Sequence, residues 1–418
     1  MSEVANIPQL RFPEFGDNWE EKKLGNVTSI VMGQSPDSTS YNSNGIGLYL
    51  IQGNADIKKR KTLPRVWTDT PTKECKVGDI IMTVRAPVGA VAKSIHNACI
   101  GRGVCAIRNN QHSVSNYIYQ FLLSFEKKWV KFEQGSTFTA VNTKDVKSLK
   151  LILPPVQEQQ KIAAFLTAVD TKIEQLSKKQ ALFSEYKKGL MQQIFSQAIR
   201  FKADDTPGQP LLPNGNSPSG SEFPDWEEKK LGDIGHTFNG LTGKTKDDFG
   251  RGKPYIQYMQ IFESSKINID NFGLVDVRDD ENQKVAQYGD VFFTTSSETP
   301  DAVGYSSVLL DDIDKLYLNS FCFGFRPNSL DELSPNFAQF LLRSANFRRR
   351  VVRLAQGSTR YNMSKVQLMK EVISLPCLKE QTKISNFLSY IDSKIEQVGK
   401  QLDESKQFKK ALLQQMFV

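Results

Sequence analysis

LPPVQEQQKIAAFL at residues 153–166 is the decisive stretch for the architecture, because it returns in the second half of the chain as LPCLKEQTKISNFL at residues 375–388. Three further motifs also occur twice and in the same order: WEEKKLG (19–25 and 226–232), GDI and GDV (78–80 and 289–291), and QGST (134–137 and 356–359). The two copies of WEEKKLG lie closer together than the two copies of QGST, so the second half carries its extra residues in the middle. An internal repeat of this length predicts two similar halves.

A long helix is predicted after the decisive stretch in each half. Apolar or medium-sized residues recur there at alternating spacings of four and three residues, which is typical of a coiled-coil seam. About 40 residues in each helix would span about 60 Å at 1.5 Å per residue. We predict that the two helices pair antiparallel as a coiled coil, with a seam formed by Ile162, Leu166, Val169, Ile173, Leu176, Ile384, Leu388, Ile391, Ile395 and Val398.

The alternative is that each helix is an ordinary amphipathic helix packed on its own globular region. We favour the coiled coil because so long a seam exceeds the globular surface available to cover it. Lys187 and Lys409 occupy equivalent seam positions, where a polar residue often fixes register at a cost in stability. Leucine at both positions is therefore expected to raise the melting temperature.

The globular region that precedes each helix is predicted to be mainly β. The predicted strands cover 78–84, 88–92 and 103–107 in the first half and 290–295, 303–310 and 316–325 in the second, with short helices at 117–123 and 337–342. The fold class is α+β: two mainly-β domains with small helices, joined by two long antiparallel coiled-coil helices in an internal pseudo-twofold repeat.

The composition narrows the class of protein. The chain has 418 residues, 39% hydrophobic and 24% charged, as expected for a globular protein of two to four domains. No apolar run approaches the roughly 18 residues of a membrane-spanning helix, and five scattered cysteines without a CxxC pair predict neither a disulfide framework nor structural zinc. We expect a cytoplasmic protein without a membrane partner. The net charge of +8 is compatible with an anionic partner.

Motifs for catalysis are missing from the sequence. His96, His112 and His236 stand alone, without the spacing of metal ligands. The Gly-Lys-Thr at 243–245 lacks the glycine that a phosphate-binding loop would place at position 238. We therefore predict that the chain is not an enzyme and holds no metal.

Basic residues cluster at matched places in the two halves, at 127–132 and 347–353, and each cluster leads into Gly-Ser-Thr and then an asparagine. Lys and Arg neutralise phosphate charge, and hydroxyls beside a glycine turn suit phosphate oxygens. A solvated helix face followed by a structural turn is the alternative, but the duplication favours DNA contact. With a further basic run that lacks a counterpart, the candidate DNA-binding residues are Lys58, Lys59, Arg60, Lys127, Lys128, Lys131, Ser136, Thr137, Asn142, Arg348, Arg349, Arg350, Arg353, Ser358, Thr359 and Asn362.

Taken together, the four repeated motifs and the helix ends LMQQIF (190–195) and LLQQMF (412–417) resemble the specificity subunit of type I restriction-modification systems. The resemblance covers nearly the whole chain. It implies two target-recognition domains, each reading one half of a bipartite DNA sequence, with helices that set the spacing between the half-sites. The implied organisation is a first recognition domain (1–156), a first spacer helix (157–200), a linker (201–221), a second recognition domain (222–377) and a second spacer helix (378–418).

The same resemblance implies double-stranded DNA, two modification (methyltransferase) subunits and two restriction (motor-nuclease) subunits as partners. The modification subunits would bring S-adenosylmethionine and methylate adenine, and the restriction subunits would use ATP and magnesium. We expect none of these cofactors to bind this chain. A coiled-coil scaffold that joins proteins without reading DNA is the main alternative function, and it predicts no sequence-selective footprint. An enzyme with hidden motifs is the third.

Overall fold

The computed structural model describes residues 7–133, 140–203 and 221–417, and for residues 130–133 it describes the backbone alone. The chain divides into two compact units. Unit 1 comprises Met1–Lys178 and Gly399–Val418, and unit 2 comprises Lys179–Val398. Each unit thus contains the beginning of one long helix and the end of the other.

Unit 1 is built on a six-stranded, a five-stranded and a two-stranded sheet. Its elements are β1 (Glu20–Lys23), α1 (Leu24–Val27), β2 (Thr28–Met32), β3 (Tyr41–Asn42), β4 (Leu48–Ile51), β5 (Ile57–Lys58), β6 (Lys61–Thr62), β7 (Val66–Thr68), β8 (Glu74–Cys75), β9 (Ile80–Thr83), β10 (Val91–Lys93), β11 (Ala98–Ile100), β12 (Val104–Asn109), α2 (Ser115–Glu133), α3 (Thr143–Ser148), β13 (Lys150–Leu153) and α4 (Val156–Phe195), which continues into unit 2. The six-stranded sheet has the order β2-β12-β9-β10-β6-β5, and the five-stranded sheet has the order β3-β7-β4-β11-β8. The predicted hairpin is confirmed: β9 and β10 pair antiparallel, with Met82 opposite Val91.

Unit 2 keeps the central antiparallel strands and differs around them. Its elements are β14 (Glu227–Lys230), α5 (Leu231–Ile234), β15 (Gly235–Asn239), β16 (Phe249–Ile256), α6 (Tyr258–Glu263), β17 (Gly273–Val275), β18 (Val291–Thr294), β19 (Ser296–Ser297), β20 (Ser306–Val308), β21 (Tyr317–Leu318), β22 (Cys322–Pro327), α7 (Pro335–Leu341), α8 (Ala345–Arg353), β23 (Ala355–Gln356), β24 (Tyr361–Met363), α9 (Lys365–Leu368), β25 (Val372–Leu375) and α10 (Leu378–Gln415), which continues into unit 1. The sheets have the orders β15-β22-β18-β20, β17-β16-β21, β19-β24-β23 and β14-β25.

The repeated WEEKKLG motif ties the start of each globular region to the strand that leads into the long helix. Its Glu-Glu-Lys-Lys segment is β1 in unit 1, paired with β13, and β14 in unit 2, paired with β25. The leucines that follow, Leu24 and Leu231, are fully buried. The motif is therefore explained by local structure.

The repeated Glu-Gln of the decisive stretch is also structural. Glu158 is fully buried and accepts hydrogen bonds from Arg11 Nε (2.7 Å), Arg11 Nη2 (2.8 Å) and Trp19 Nε1 (3.1 Å). Its counterpart Glu380 is equally buried and accepts from Arg200 Nε (3.3 Å) and Nη2 (2.9 Å). A buried carboxylate is tolerated only when it is paired in this way. Each pair anchors the first turn of a long helix to its own unit.

The two long helices predicted from the sequence are confirmed as α4, with 40 residues, and α10, with 38. All ten predicted seam residues are buried or half-buried. In unit 1, Ile162 and Leu166 of α4 share a hydrophobic core with Leu412 and Met416 of α10 and with side chains of the globular part such as Tyr117. This section of α4 therefore packs on the globular part as well as on α10.

Unit 2 repeats this packing with the roles of the helices exchanged. Leu190 and Ile194 near the end of α4 share a core with Ile384 and Leu388 near the beginning of α10. The apolar side chains of both helices are removed from water at this contact. Each buried side chain stabilises the helix ends by roughly 1.5–3 kcal/mol.

The seam lysines form ion pairs, and this corrects the expectation for their replacement. Lys187 Nζ lies 2.6 Å from Asp392, and Lys409 Nζ lies 2.5 Å from Asp170. Leucine at both lysine positions would remove the opposite charge from two half-buried carboxylates, and Asp170 would keep only the hydrogen bond that Gln120 Nε2 donates at 2.7 Å. We therefore expect the double substitution to lower the melting temperature rather than raise it.

Candidate nucleic-acid interface

The basic helix α8 of unit 2 divides into an inner and an outer side. Arg348 faces inward and donates hydrogen bonds to the carbonyls of Gly304 (2.6 Å), Val303 (2.7 Å) and Asp301 (2.9 Å), while its guanidinium lies 4.2 Å from the ring centre of Tyr305. Burial lowers the pKa of this guanidinium. The sequence placed Arg348 among the DNA contacts, and we correct that assignment because its donors hold the loop at 301–304.

The other arginines of α8 are more accessible. Arg350 is half-buried and lies 3.5 Å from Glu371, so part of its charge is already compensated. Arg349 and Arg353 are exposed, and Arg349 contacts Asn346 in the preceding turn of its own helix. Because residues four apart share a helix face, Arg349 and Arg353 offer two positive charges on the same side of α8.

The Gly-Ser-Thr that follows α8 forms a hairpin turn between β23 and β24. Gly357 has φ +131°, and a Cβ there would lie 2.2 Å from the carbonyl oxygen of Arg360, so the turn requires glycine. Ser358 and Thr359 are exposed at this turn, beside Arg360. Hydroxyls and a guanidinium on one exposed turn suit phosphate oxygens.

In unit 1, Lys127 and Lys128 are exposed on α2, and Lys128 Nζ lies 5.4 Å from the ring centre of Phe125. The corresponding Gly-Ser-Thr motif, with the candidates Ser136 and Thr137, lies outside the described residues, as does the side chain of Lys131. The described lysines face solvent and can contribute to a basic surface.

The basic run of unit 1 forms the tight turn between β5 and β6, where Lys59 and Arg60 have positive φ angles of 49° and 62°. Arg60 donates to Glu126, with Nη2 2.8 Å from Oε2, and to the carbonyl of Val91 at 3.1 Å. These contacts hold the Arg60 guanidinium against unit 1, but half of its side chain stays exposed, so Arg60 remains a DNA-contact candidate whose charge is partly compensated by Glu126. Lys58 and Lys59 are exposed.

The two candidate asparagines are not equivalent, contrary to the sequence comparison. Asn142 caps α3, and its amide oxygen accepts hydrogen bonds from the backbone amides of Lys144 and Asp145. The residue that caps the matching helix α9 is Ser364. Asn362 lies two residues earlier, on β24, and is exposed. Both asparagines are exposed and remain DNA-contact candidates, but the amide oxygen of Asn142 is already used by the helix cap, which leaves its amide nitrogen for such a contact.

Sequence reasoning missed two exposed arginines that lie near these elements. Arg85 pairs with Ala140 in an isolated antiparallel bridge, and Arg360 lies between the glycine turn and β24. Their closeness to repeated motifs could have identified them in the sequence, because Arg85 follows shortly after GDI and Arg360 directly follows QGST.

Two further features concern other classes of function. Across residues 7–133, 140–203 and 221–417, no group of three His, Cys, Asp or Glu side chains is placed to hold a metal ion. In the same part of the chain, no helix combines the length and the apolar character that crossing a membrane requires.

Comparison with known proteins places these features in a family. The family model described as type I restriction modification DNA specificity domain matches the chain twice, over residues 16–182 and 224–404. The MjaX type I restriction enzyme specificity subunit of Methanocaldococcus jannaschii is 37% identical over 204 residues, which are 48% of this chain and 46% of that protein. The MjaVIII type I specificity subunit of the same organism is 21% identical over 97% of this chain and 92% of its own length. The chain thus spans less than half of the first relative and nearly all of the second.

Solved structures share the fold. The type I restriction-modification S subunit from M. genitalium superposes with a TM-score of 0.59 at 16% identity, covering 99% of both chains. A chain from a study of complex assembly and conformational transition of the type I R-M system superposes with a TM-score of 0.54 at 19% identity, covering 94% of this chain and 96% of that one. With two family matches that together cover most of its length, the chain belongs to the type I restriction-modification DNA specificity family.

Proposed function

We propose that this chain selects the DNA target of a type I restriction-modification system, and that each half reads one half of a bipartite sequence. The observation that carries the proposal is the double match to a DNA specificity domain, one match in each repeat. The reading domains are residues 1–156 and 222–377. Because the repeats differ most in their middles, the two half-sites differ in sequence, and the target is asymmetric.

We propose further that α4 and α10 pair antiparallel as a coiled coil in a pseudo-twofold arrangement. In this proposal the length of the two helices sets the distance between the half-sites. The ion pairs within each unit support the antiparallel direction. Asp170 of α4 pairs with Lys409 of α10, and Lys187 of α4 pairs with Asp392 of α10. From the first pair to the second, the residue number rises along α4 and falls by the same amount along α10. An equal and opposite step is the signature of antiparallel helices. The length of the pair would then set the number of unread bases.

Catalysis is assigned to partner subunits in this proposal. Two modification subunits dock on the equivalent helix ends and supply S-adenosylmethionine for methylation of adenine, which is flipped out of the duplex. Two restriction subunits use ATP and magnesium. This chain binds none of these cofactors and works in the cytoplasm. The scaffold alternative receives no support from the comparisons, because the matched family is one of DNA specificity.

Exchange of one recognition domain tests the proposal. Residues 1–156 are replaced by the matching domain of a relative with a different target, and the methylated motif is mapped with the partner subunits present. We expect one half-site to change and the other to persist with the same spacing. A change in both halves, or in neither, would contradict modular recognition.

A further inference from the structure

A backbone junction of the same design lies in both units, where the strand that follows GDI or GDV ends. In unit 1 the amide of Val84 donates to the carbonyl of Gly103 at 2.9 Å, and the carbonyl of Val84 accepts from the amide of Val141 at 2.9 Å. Val84 therefore joins the end of its own strand to two distant segments of unit 1.

Unit 2 builds the same junction around Thr295. Its amide donates to the carbonyl of Phe321 at 3.1 Å, and its carbonyl accepts from the amide of Met363 at 2.9 Å. The matching hydrogen bonds make Phe321 the structural equivalent of Gly103, and Met363 that of Val141. The hydroxyl of Tyr258 donates to the carbonyl of the next residue, Ser296, at 2.7 Å and braces the segment further.

The residues one step beyond the centre are also paired in both units. Arg85 pairs antiparallel with Ala140, and Ser296 pairs antiparallel with Asn362. The two units thus share this backbone frame. The side chains that it carries differ at the three positions around the centre: Gly103, Arg85 and Ala140 in unit 1 correspond to Phe321, Ser296 and Asn362 in unit 2. Arg85 and Ala140 of unit 1 are exposed, as is Asn362 of unit 2.

A shared frame with different side chains is what base reading by two related domains requires. Phosphates are the same at every sequence, so residues that contact them need not differ between the two readers, whereas residues that contact base edges must. Frame hydrogen bonds also fix the backbone that carries a reading side chain before binding, which reduces the entropy lost on contact. The junction meets both requirements, and in unit 2 it adjoins the exposed hydroxyls and guanidinium of the Gly357 turn.

We propose that this junction is the base-reading site of each unit, with Arg85 reading guanine in unit 1, and Phe321 with Asn362 reading an A·T pair in unit 2. The inference rests on the proposed function. An arginine forms two hydrogen bonds with O6 and N7 of guanine in the major groove. An asparagine forms two with N6 and N7 of adenine, and an apolar side chain contacts the methyl group of thymine.

The local geometry fits these roles. Phe321 is 60% exposed, and its amide donates to Asn319 Oδ1 at 2.8 Å, so a tight turn holds a large apolar ring in solvent. Unit 1 cannot present a ring at this position, because a Cβ on Gly103 would lie 2.1 Å from the carbonyl oxygen of Gln52. Unit 1 therefore depends on the neighbouring Arg85, and the two junctions have different chemical preferences.

Selection from random duplexes tests the proposal. The full-length chain, assembled with the modification subunits of its system, selects bound DNA from a random library, and the enriched motif is sequenced for each variant. Arg85→Ala should reduce the preference for guanine at one position of one half-site by roughly 5- to 150-fold, the equivalent of about 1–3 kcal/mol per base contact. Phe321→Ala and Asn362→Ala should relax one A·T position in the other half-site.

Matched controls lie at the far end of the same strands. Lys76 precedes β9 and Tyr288 precedes β18, both are exposed, and Lys76→Ala and Tyr288→Ala should leave the motif unchanged. Arg85→Lys keeps the charge but loses the planar fork, so it should relax the same position as Arg85→Ala while folding as the wild type does. Melting temperatures verify that the variants fold.

The outcomes separate this inference from the proposed function. A bipartite wild-type motif with unchanged preferences in the variants, or with uniformly weaker binding, would overturn the base-reading site and leave the function standing. A wild-type complex that enriches no motif would overturn the function itself. Relaxation confined to one half-site per unit supports both.

Discussion

Replacing the buried glutamates at the helix starts with glutamine tests how firmly each reader is attached to its long helix. In Glu158→Gln, the Arg11 guanidinium, whose side chain is 12% exposed, loses the opposite charge that compensates its burial. Breaking a buried pair by removing one partner costs about 3–5 kcal/mol, and slight solvation of the arginine places this variant near about 3 kcal/mol. Glu380→Gln should cost less, about 2 kcal/mol, because Arg200 is 24% exposed and Glu380 lacks the hydrogen bond that Trp19 gives to Glu158.

The assay is denaturant unfolding followed by tryptophan fluorescence, with separate transitions fitted if the two units unfold independently. Glu174→Gln on the same helix is the matched control, because its pair with Lys61 is exposed and should contribute under about 1 kcal/mol. A loss below about 1 kcal/mol in Glu158→Gln, or a larger loss in Glu380→Gln than in Glu158→Gln, would show that burial of the pair does not set its contribution to stability.

The remaining predictions concern stability, DNA binding and spacing. Arg348→Ala should lower the free energy of unfolding by about 2 kcal/mol, because three hydrogen bonds to backbone carbonyls are lost. Arg353→Ala should leave the melting temperature unchanged and reduce the slope of log K for DNA binding against log salt concentration by about 0.9. Equal melting temperatures for the two variants would contradict this division of α8 into an inner and an outer side. One added helical turn after Ile173, with a matched insertion in α10, lengthens each helix by about 6 Å. Methylation mapping should then show one or two additional base pairs in the unread spacer. An unchanged spacer would contradict the proposal that the helices set the distance between the half-sites. The Lys244 ammonium, with Gln283, lowers the pKa of Glu281 to about 2, so the stabilisation from this carboxylate is present above pH 4.5 and lost as the pH falls toward 2. Lys244→Met should therefore lower the melting temperature at pH 7 and converge with the wild type in acid, and a deficit that persists at pH 2 would show another cause.

The long helices were predictable because their pattern is periodic. A spacing of four and three residues identifies the buried side of a helix wherever the helix packs, so positions such as Leu166 and Leu388 follow from the sequence alone. Their partners do not, because the ion pair between Lys187 and Asp392 joins residues 205 positions apart, and no local pattern encodes that distance.

The candidate DNA contacts were less predictable for the same reason. Charge and exposure are not equivalent: Arg348 and Arg353 share one helix, yet Arg348 donates to backbone carbonyls and Arg353 faces solvent. Asn142 and Asn362 both follow a Gly-Ser-Thr motif, but Asn362 lies two residues closer to its motif than Asn142 does, and the two side chains therefore occupy different structural positions. Only the three-dimensional junction reveals that Gly103 and Phe321 occupy one structural position.

Methylome sequencing shows whether two linked readers select the DNA target. DNA from cells that carry this chain with its modification subunits is compared with DNA from cells that lack only this chain. We expect a methylated adenine motif made of two different half-sites separated by a fixed number of unread bases, and its complete loss when the chain is removed. Methylation of the same motif without the chain, or a single uninterrupted motif with it, would contradict the claim that two linked readers select the target.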